Sequence, residues 1–407
     1  MKSKLNFNKI YESLLYILFI IGFNNDWRLN SILWYGTAMI CFAFFLFKYK
    51  VLKLDTYSKW LLIFFACGAT TIIWSIDKSR TFDFILASLS RIAVLLPINI
   101  YFETEYPDIE ERAKKIVSII IFALLVTAVY LFIILDWRYI IAGGTLGVAS
   151  LTKYWASNAV GAKFGVASFI ALYFGNKYKK YYLVSIPFVI LTVLSGSKGG
   201  ILAFIIPLIF SLIVRSNNPL RALKNIILTS ILLALVIYIS LNNKFLFHLV
   251  GRRFQNLYLG LSGETALEGT TQTRELMIQY GLSWFMERPI FGFGANCYYT
   301  KLSEVFRSTY SHNTYIELLV GTGVVGTLVY YSIYYRIFKY NNKIKNTYFP
   351  FVFAMLLSIL IHNYVAVDYN DLMIQLTTLL CFLMCRSTEN SMHEQVVLNE
   401  TSTYYSE

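Results

Sequence analysis

Three short segments of this 407-residue chain carry side chains suited to chemistry, each set beside glycines or polar neighbours. The segments are SGSKGG (195–200), TTQTRELMIQYGLSWFMERPIFGFG (270–294) and TYSHNTYIELLVGTGVVG (309–326). Their candidate residues are Lys198, Arg274, Arg288 and His312. Arginine can clamp a phosphoryl group through two parallel hydrogen bonds, whereas lysine contributes a point charge. Imidazole titrates near neutrality and can take a proton from a hydroxyl. The set predicts a site for a phosphate-bearing donor and a hydroxyl acceptor.

Each of these residues also has an ordinary interpretation. An arginine such as Arg274 or Arg288 is often a solvated surface charge, and His312 has the position of a helix-capping or interfacial histidine. Lys198 suits a lysine whose long side chain reaches the membrane surface from a helix end. The chemical hypothesis therefore depends on whether the surrounding elements bring these side chains to one place.

Composition identifies the class of protein to which those elements belong. The chain is 57% hydrophobic, 17% aromatic and only 14% charged, with a mean hydropathy of +0.56. Soluble domains rarely exceed about half apolar residues. Apolar runs long enough to cross a bilayer recur along almost the whole sequence. We expect an all-α polytopic membrane protein.

Apolar runs between polar breaks predict about twelve transmembrane helices. Their approximate cores are 10–23, 31–47, 60–76, 82–102, 116–135, 158–175, 181–197, 199–214, 225–241, 314–335, 348–367 and 372–385. Residues 1–241 would hold nine spans and residues 314–385 the last three. A large loop, 242–313, separates the two groups. Residues 386–407 read as a disordered cytoplasmic tail.

Basic residues are concentrated in alternate connections, which orients the bundle. The positive-inside rule then places both termini in the cytoplasm and the loop 242–313 outside the cell. The net charge of +13 is mostly this topological signal, so nucleic acid is not expected as a partner. In this topology Lys198, Arg274 and His312 share the outer face with Arg288. Arg91, inside the fourth span, is a further candidate, because a charge within a span tends to face a cavity.

The outer loop contains a second periodic signal. Residues 274–287 predict an amphipathic helix, with Met277, Tyr280 and Trp284 on its apolar side. Thr273 is expected to cap the helix, which puts Arg274 in the first turn, where free N–H groups favour an anion. Pro289 is expected to end the helix, and GFG (292–294) predicts a flexible turn.

The acidic residues of this region do not predict a metal site. Four glutamates are spread along the loop, at Glu264, Glu268, Glu275 and Glu287. Divalent cations need clustered carboxylates, so we expect a metal-free transfer without a cofactor. The five cysteines include no CxxC pair and suggest neither a zinc site nor a disulfide framework.

The motifs resemble those of the O-antigen ligase and O-antigen polymerase superfamily, chiefly over 192–202 and 271–326. That resemblance implies a GT-C-type bundle acting on undecaprenyl-pyrophosphate-linked glycans. It implies that Arg274 binds the donor pyrophosphate and that His312 is the catalytic base or positions the acceptor, with Asn313 and Glu317 beside it. Lys198 stands where the family usually has arginine, and it keeps the charge but loses the bidentate fork. Arg288 is added from its proximity in sequence.

The reaction implied is an inverting glycosyl transfer at the outer face of a bacterial cytoplasmic membrane. A polymerase of O-antigen, capsule or exopolysaccharide is favoured, because the stretch from GFGANCYY to SHNTYIELLVGTGVVG resembles polysaccharide polymerases. A ligase that delivers the glycan to lipid A-core or another acceptor is the alternative. Its partners would be the lipid-linked donor, a glycan or lipid-linked acceptor, membrane lipid and, for a polymerase, a chain-length regulator. A flippase is the rival from another class, but it predicts internal repeats and a central charged cavity.

Overall fold

The computed structural model describes residues 2–24, 30–50, 54–141, 157–216, 218–252, 255, 258–259, 269–306 and 309–386, which fold mainly into α-helices. The first group is α1 (Lys2–Phe23), α2 (Asn30–Lys48), α3 (Thr56–Thr70), α4 (Lys78–Glu105), α5 (Ile109–Ile134) and α6 (Trp137–Ile141). The second group is α7 (Ser157–Gly175), α8 (Lys180–Leu194), α9 (Lys198–Val214) and α10 (Pro219–Asn242). The third group is α11 (Gly269–Glu287), α12 (Tyr298–Val305), α13 (Thr314–Ile344), α14 (Phe349–His362) and α15 (Leu372–Cys385).

Every core predicted from the apolar runs overlaps one of these helices. Several ends differ. Helix α3 stops at Thr70 and continues as a single 3-10 turn, Thr71–Ile73, and α14 stops at His362 instead of 367. Helix α13 continues to Ile344, nine residues beyond the predicted end of its span. Six helices within the described residues are long and apolar enough to cross a membrane. These stretches are Thr56–Ile73, Lys78–Glu105, Ile109–Ile134, Asn158–Gly175, Pro219–Asn242 and Thr314–Ile344.

The protein is therefore a helical membrane protein, while twelve crossings remain a prediction. Part of the predicted outer loop, 253–254, 256–257, 260–268 and 307–308, lies outside the described residues. The same is true of residues 387–407, where a disordered tail was predicted.

Helix α15 is the centre of the bundle, because every one of its residues is buried. Its few polar side chains find partners there: Gln375 donates to the Tyr369 carbonyl at 2.6 Å, and Thr378 donates to the Ile374 carbonyl at 2.8 Å. Its C-terminal end is held by charges. Arg386 donates to Asp55 at 2.9 Å, and Arg112 donates to the carbonyls of Leu383 and Arg386 at 3.0 and 3.1 Å. The other end of α15 consequently has a fixed position.

Close backbone contact joins α7 to α9. A Cβ built on Gly200 would lie 2.4 Å from the carbonyl carbon of Gly161, and one on Gly165 would lie 2.3 Å from the carbonyl oxygen of Gly200. Only glycine permits this approach. Helix α9 also packs along α14, so the start of α9 comes near the end of α14.

Helix α13 bends sharply at Gly323, where φ is 65° and ψ is −167°. The connection after α11 fills the bend. Val324 donates to the carbonyl of Pro289 at 2.8 Å, while Phe293 and Gly294 donate to the carbonyls of Val320 and Gly321 at 2.8 and 2.9 Å. A bend that frees backbone groups must pair them elsewhere. The predicted GFG turn exists, but these hydrogen bonds hold it in place, so the expected flexibility is wrong.

Candidate functional site

A cavity of about 840 Å³ opens between α7, the start of α9, α11 and the two ends of the α14–α15 connection. The residues around it combine several charges with small and apolar side chains. They are Asn158, Ala159, Ala162, Lys163, Ser197, Lys198, Gly199, Arg274, Tyr310, His312, His362, Val365, Ala366, Val367, Asp368, Asp371, Met373 and Ile374. Three sequence-predicted residues from three distant segments, Lys198, Arg274 and His312, therefore share one cavity.

Lys198 owes its position to the turn between α8 and α9. Gly196 adopts a φ of +59°, which reverses the chain, and Ser197 caps α9 by accepting a hydrogen bond from the Gly200 N–H at 3.2 Å. Ser197 also donates to the side-chain oxygen of Asn158 at 3.1 Å, which ties the turn to α7. Lys198 is exposed at the first position of α9, where the helix dipole favours an anion.

Arg274 is presented by a helix that starts earlier than the sequence predicted. Helix α11 begins at Gly269, so Thr273 is not its cap and Arg274 lies in the second turn. Threonine is only mildly unfavourable within a helix, so the residues before 274 can extend it. The expectation that Arg274 acts beside free helical N–H groups is therefore wrong. Its half-buried guanidinium lines the cavity as a side chain alone.

The apolar side of α11 fixes the direction of Arg274. Met277 and Trp284 are buried, and Tyr280 stacks on Trp284 with ring centroids 5.7 Å apart. Gly281 has no room for a side chain, because a Cβ would lie 2.2 Å from Cγ2 of Ile316 on α13. The packing predicted for Met277, Tyr280 and Trp284 thus joins the helix that carries Arg274 to the helix that follows His312.

His312 has a left-handed backbone, with φ at +56°. This conformation is uncommon for residues with a side chain and costs on the order of 1 kcal/mol, so it persists only where the surroundings impose it. The surroundings here are Ser311 and Asn313: the Ser311 hydroxyl donates to the Asn313 carbonyl at 2.7 Å and accepts from its N–H at 3.1 Å. The imidazole packs against Tyr310, with ring centroids 4.1 Å apart.

Asn313 and Glu317 hold the loop that carries His312. The Asn313 side chain caps α13 by accepting from the Ile316 N–H at 3.1 Å, so the capping interpretation applies to Asn313 and not to His312. Buried Glu317 accepts from the Ser311 N–H at 3.0 Å. Both residues therefore orient the histidine through the backbone.

Tyr310 lies at the same wall of the cavity. Burial raises the pKa of its hydroxyl, and the charge of Arg274 opposes part of that rise. Tyr310 thus stays a neutral hydrogen-bonding group near the guanidinium over the physiological pH range.

Sequence reasoning missed a second histidine in the cavity. His362, at the end of α14, is buried, and its Nδ1 lies 2.5 Å from Oδ2 of Asp368. Burial raises the pKa of the Asp368 carboxyl, and the imidazole opposes part of the rise. The signal was present in IHNYVAVDYND (361–371), which begins within the eleventh predicted span and continues past its outer end. The predicted span ran to residue 367 and so concealed His362.

Two further charged residues, Lys163 and Asp371, line the cavity, and Arg91 supports it from outside. Lys163 on α7 is buried and donates to the Phe23 carbonyl at 2.6 Å, while Asp371 is exposed at the start of α15. Arg91 donates to the Asn370 carbonyl at 3.1 Å and so stabilises the α14–α15 connection. It is not among the residues that line the cavity.

Arg288 is placed differently. Its side chain is exposed, and its guanidinium lies 4.8 Å from the centre of the Phe293 ring. It is not among the residues that line the cavity. Among the residues that the structure describes, no three His, Cys, Asp or Glu side chains lie close enough to hold a metal ion together.

Part of the chain is similar to a known protein family. A family model described as O-antigen ligase matches residues 183–331, a segment that includes Lys198, Arg274 and His312. No curated protein matches the chain. The match agrees with the motif resemblance and with the helical membrane architecture. The segment 183–331 is therefore similar to the O-antigen ligase family, which supports the resemblance to the O-antigen ligase and polymerase superfamily.

Proposed function

We propose that this protein is an inverting, metal-independent glycosyltransferase that polymerises undecaprenyl-pyrophosphate-linked repeat units at the outer face of the bacterial cytoplasmic membrane. The observation that carries the proposal is the single cavity shared by Lys198, Arg274 and His312. Two cations suit a pyrophosphate, and an imidazole beside them suits a hydroxyl acceptor. Large O-antigen, capsule or exopolysaccharide repeat units fit a site that is open to one side.

The depth of the cavity supports a lipid-linked donor. Helices α14 and α15 have 14 residues each, about 21 Å at the rise of an α-helix, which is less than the roughly 30 Å of a hydrocarbon core. Helices this short cannot cross a full hydrocarbon core, so we infer that their connection, residues 363–371, lies within it, beside the first turn of α13, whose Thr314 N–H donates to the Asn363 carbonyl at 2.8 Å. A polyprenyl tail could stay between apolar helices while its pyrophosphate enters the recess from the side.

The proposed reaction is a single displacement. An acceptor hydroxyl oxygen forms a bond to the anomeric carbon, and the bond from that carbon to the pyrophosphate oxygen breaks. The electron pair leaves with the pyrophosphate, whose charge Arg274 and Lys198 stabilise. His312 takes or orients the proton of the attacking hydroxyl. Asn313 and Glu317 fix the loop from which His312 acts.

A ligase is the second candidate, and the description of the matching family as O-antigen ligase favours it. The two activities share the donor and the chemistry and differ in the acceptor. A polymerase passes the growing chain to a new lipid-linked repeat unit, with a chain-length regulator as an expected partner. A ligase passes it to lipid A-core or another acceptor.

The test is complementation of a strain that lacks the gene with wild type, His312→Ala or His248→Ala at matched membrane levels. His248 is an exposed histidine in the same loop and does not line the cavity, so it is a matched control. Surface polysaccharide and lipid-linked intermediates are resolved by gel and mass spectrometry. We expect His312→Ala to lose surface glycan and His248→Ala to retain it.

The intermediate that accumulates separates the two candidates. Single repeat units on undecaprenyl pyrophosphate mean a polymerase, whereas long chains on that lipid mean a ligase. Normal surface glycan with His312→Ala would remove His312 from the catalytic role.

A further inference from the structure

His362 and Asp368 form a hydrogen-bonded pair, and the carboxylate determines which ring nitrogen of His362 carries the proton. An ionised carboxylate only accepts hydrogen bonds, so the Nδ1 that lies 2.5 Å from Asp368 Oδ2 must carry a proton. In the neutral ring, the lone pair is then on Nε2. A hydrogen bond from the Nδ1–H to the carboxylate fixes both the tautomer and the ring plane.

Nε2 of His362 is directed at the start of α9. A Cβ built on Gly199 would lie 3.5 Å from Nε2, and both residues line the cavity. Gly199 therefore leaves space in front of the nitrogen, next to Lys198. This is where a hydroxyl would have to approach a donor whose pyrophosphate is bound by that lysine.

The connection that carries Asp368 is hydrogen-bonded to the loop of His312. The Asp368 N–H donates to the Thr314 hydroxyl at 2.9 Å, and that hydroxyl donates to the Ala366 carbonyl at 2.8 Å. The Thr314 N–H in turn donates to the Asn363 carbonyl at 2.8 Å. The end of α14, which carries His362, is thus hydrogen-bonded through the connection that follows it to the loop of His312.

We propose that His362, oriented by Asp368, is the general base of the transfer and that His312 positions the acceptor hydroxyl. This inference rests on the proposed glycosyltransferase function. As the hydroxyl oxygen bonds to the anomeric carbon and the pyrophosphate departs with the electron pair, the hydroxyl proton passes to Nε2 of His362. Asp368 stabilises the imidazolium that forms, and solvent removes the proton before the next cycle. His362 is then a catalytic residue and Asp368 a positioning residue.

Other titratable groups face the same space and have to be separated from His362 in any pH experiment. They are Lys163, Lys198, Arg274, Tyr310, His312, Asp368 and Asp371. Because His312 and His362 both carry an imidazole, a pH profile of wild type alone does not distinguish the two. The comparison of matched glutamine variants does.

The experiment measures transfer rate against pH with purified full-length protein and lipid-linked glycan extracted from membranes of the deletion strain. The variants are His362→Gln, His312→Gln and the exposed control His248→Gln. Loss of a general base lowers the rate by about 100- to 10,000-fold. We expect that fall in His362→Gln together with loss of the acid-side decline in rate. His312→Gln should be slower but keep the acid-side decline.

Two more variants guard against simple misfolding. Gly199→Ala places a methyl group at van der Waals distance from Nε2, Val365 and Ser197, without a clash. It should leave thermal stability and donor retention unchanged and reduce the transfer rate. Asp368→Asn offers an amide N–H to Nδ1 and so moves the ring proton to Nε2. It should reduce the rate while donor retention persists.

The outcomes separate this inference from the function on which it rests. Near-normal rates in His362→Gln and Gly199→Ala, with His312→Gln inactive, would overturn the inference and keep the glycosyltransferase. The same would follow if the acid-side decline disappeared in His312→Gln instead. If the purified wild-type protein showed no transfer, the proposed function itself would fail, and if no variant of the cavity, including Arg274→Ala, changed transfer, the cavity would not be the active site.

Discussion

Two kinds of cation face the cavity from different elements. Arg274 comes from the second turn of α11, and Lys198 comes from the first position of α9. A guanidinium offers a planar fork, so it can bind two oxygens of one phosphoryl group, whereas an ammonium interacts as a point charge. The half-buried Arg274 is therefore the residue expected to fix the orientation of the pyrophosphate, with exposed Lys198 compensating charge.

This difference gives a prediction for charge-conserving substitutions. Arg274→Lys should lower the transfer rate because the fork is lost, and Arg274→Ala should lower it by about 100-fold, the order expected for one preorganised donor. Lys198→Arg should keep activity, because it keeps the charge and adds a fork. Initial rates with lipid-linked glycan from the deletion strain measure these effects.

Arg288→Ala is the comparison variant for this series. Arg288 is exposed and is not among the residues that line the cavity. The transfer rate of Arg288→Ala should therefore stay within about three-fold of wild type, as for most surface substitutions. A loss as large as that of Arg274→Ala would mean that the donor extends beyond the cavity, towards Phe293.

The sequence alone predicted three of the residues that line the cavity but not His362, and the reason is physical. Lys198, Arg274 and His312 stand out because a charge or imidazole beside an apolar run is conspicuous. His362 was hidden within an apolar run, and only the structure, which brings it to Asp368 and into the cavity, makes it a candidate. The proximity of these groups depends on helix packing that no local pattern encodes, such as the contact between Gly200 and Gly161.

At the scale of elements, the bend in α13 links the segment that carries His312 to the segment that carries Arg274. Its N-terminal part follows His312, and the connection filling its bend continues from α11, which carries Arg274. Apolar periodicity predicted one span from 314 to 335, and it located the helix well. It did not reveal the bend, because Gly323 looks like any other glycine in GTGVVG until its φ is known.

The bend gives a prediction for stability. Gly323→Ala forces a side chain onto a φ of +65° and puts Cβ 2.2 Å from the Ile290 carbonyl oxygen. We expect a loss of roughly 1–3 kcal/mol in free energy of unfolding, measured as a lower Tm of the detergent-solubilised protein. Transfer activity should fall too, since the loop of His312 would shift relative to Arg274.

Gly36→Ala is the matched control for that substitution. Gly36 lies within α2, and a Cβ there meets nothing within 4 Å. Alanine should leave Tm unchanged or raise it slightly, since it favours a helix by up to about 1 kcal/mol over glycine. Equal Tm values for the two variants would mean that the bend at Gly323 is not a strained, tightly packed feature.

At the scale of the whole molecule, charge has two functions. Three ion pairs lock helix ends on the side predicted to be cytoplasmic: Lys48 with Glu105 at 2.5 Å, Lys115 with Glu12 at 2.7 Å, and Arg386 with Asp55 at 2.9 Å. The same basic residues contribute to the positive-inside signal. The cations of the cavity lie at the opposite helix ends, where the sequence predicts the outer face.

The orientation of the molecule can be tested with introduced cysteines and a membrane-impermeant maleimide. Glu304 is exposed on α12 in the predicted outer loop, and Lys179 is exposed between α7 and α8, on the predicted inner side. The native background should be low, because Cys67 is half-buried and Cys41, Cys297, Cys381 and Cys385 are buried. We expect Glu304→Cys to react in intact cells or, beneath an outer membrane, in spheroplasts. Lys179→Cys should react only after the membrane is permeabilised. The reverse pattern would put the cavity in the cytoplasm, where a donor displayed on the outer leaflet could not reach Arg274, and the proposed extracytoplasmic transfer would be wrong.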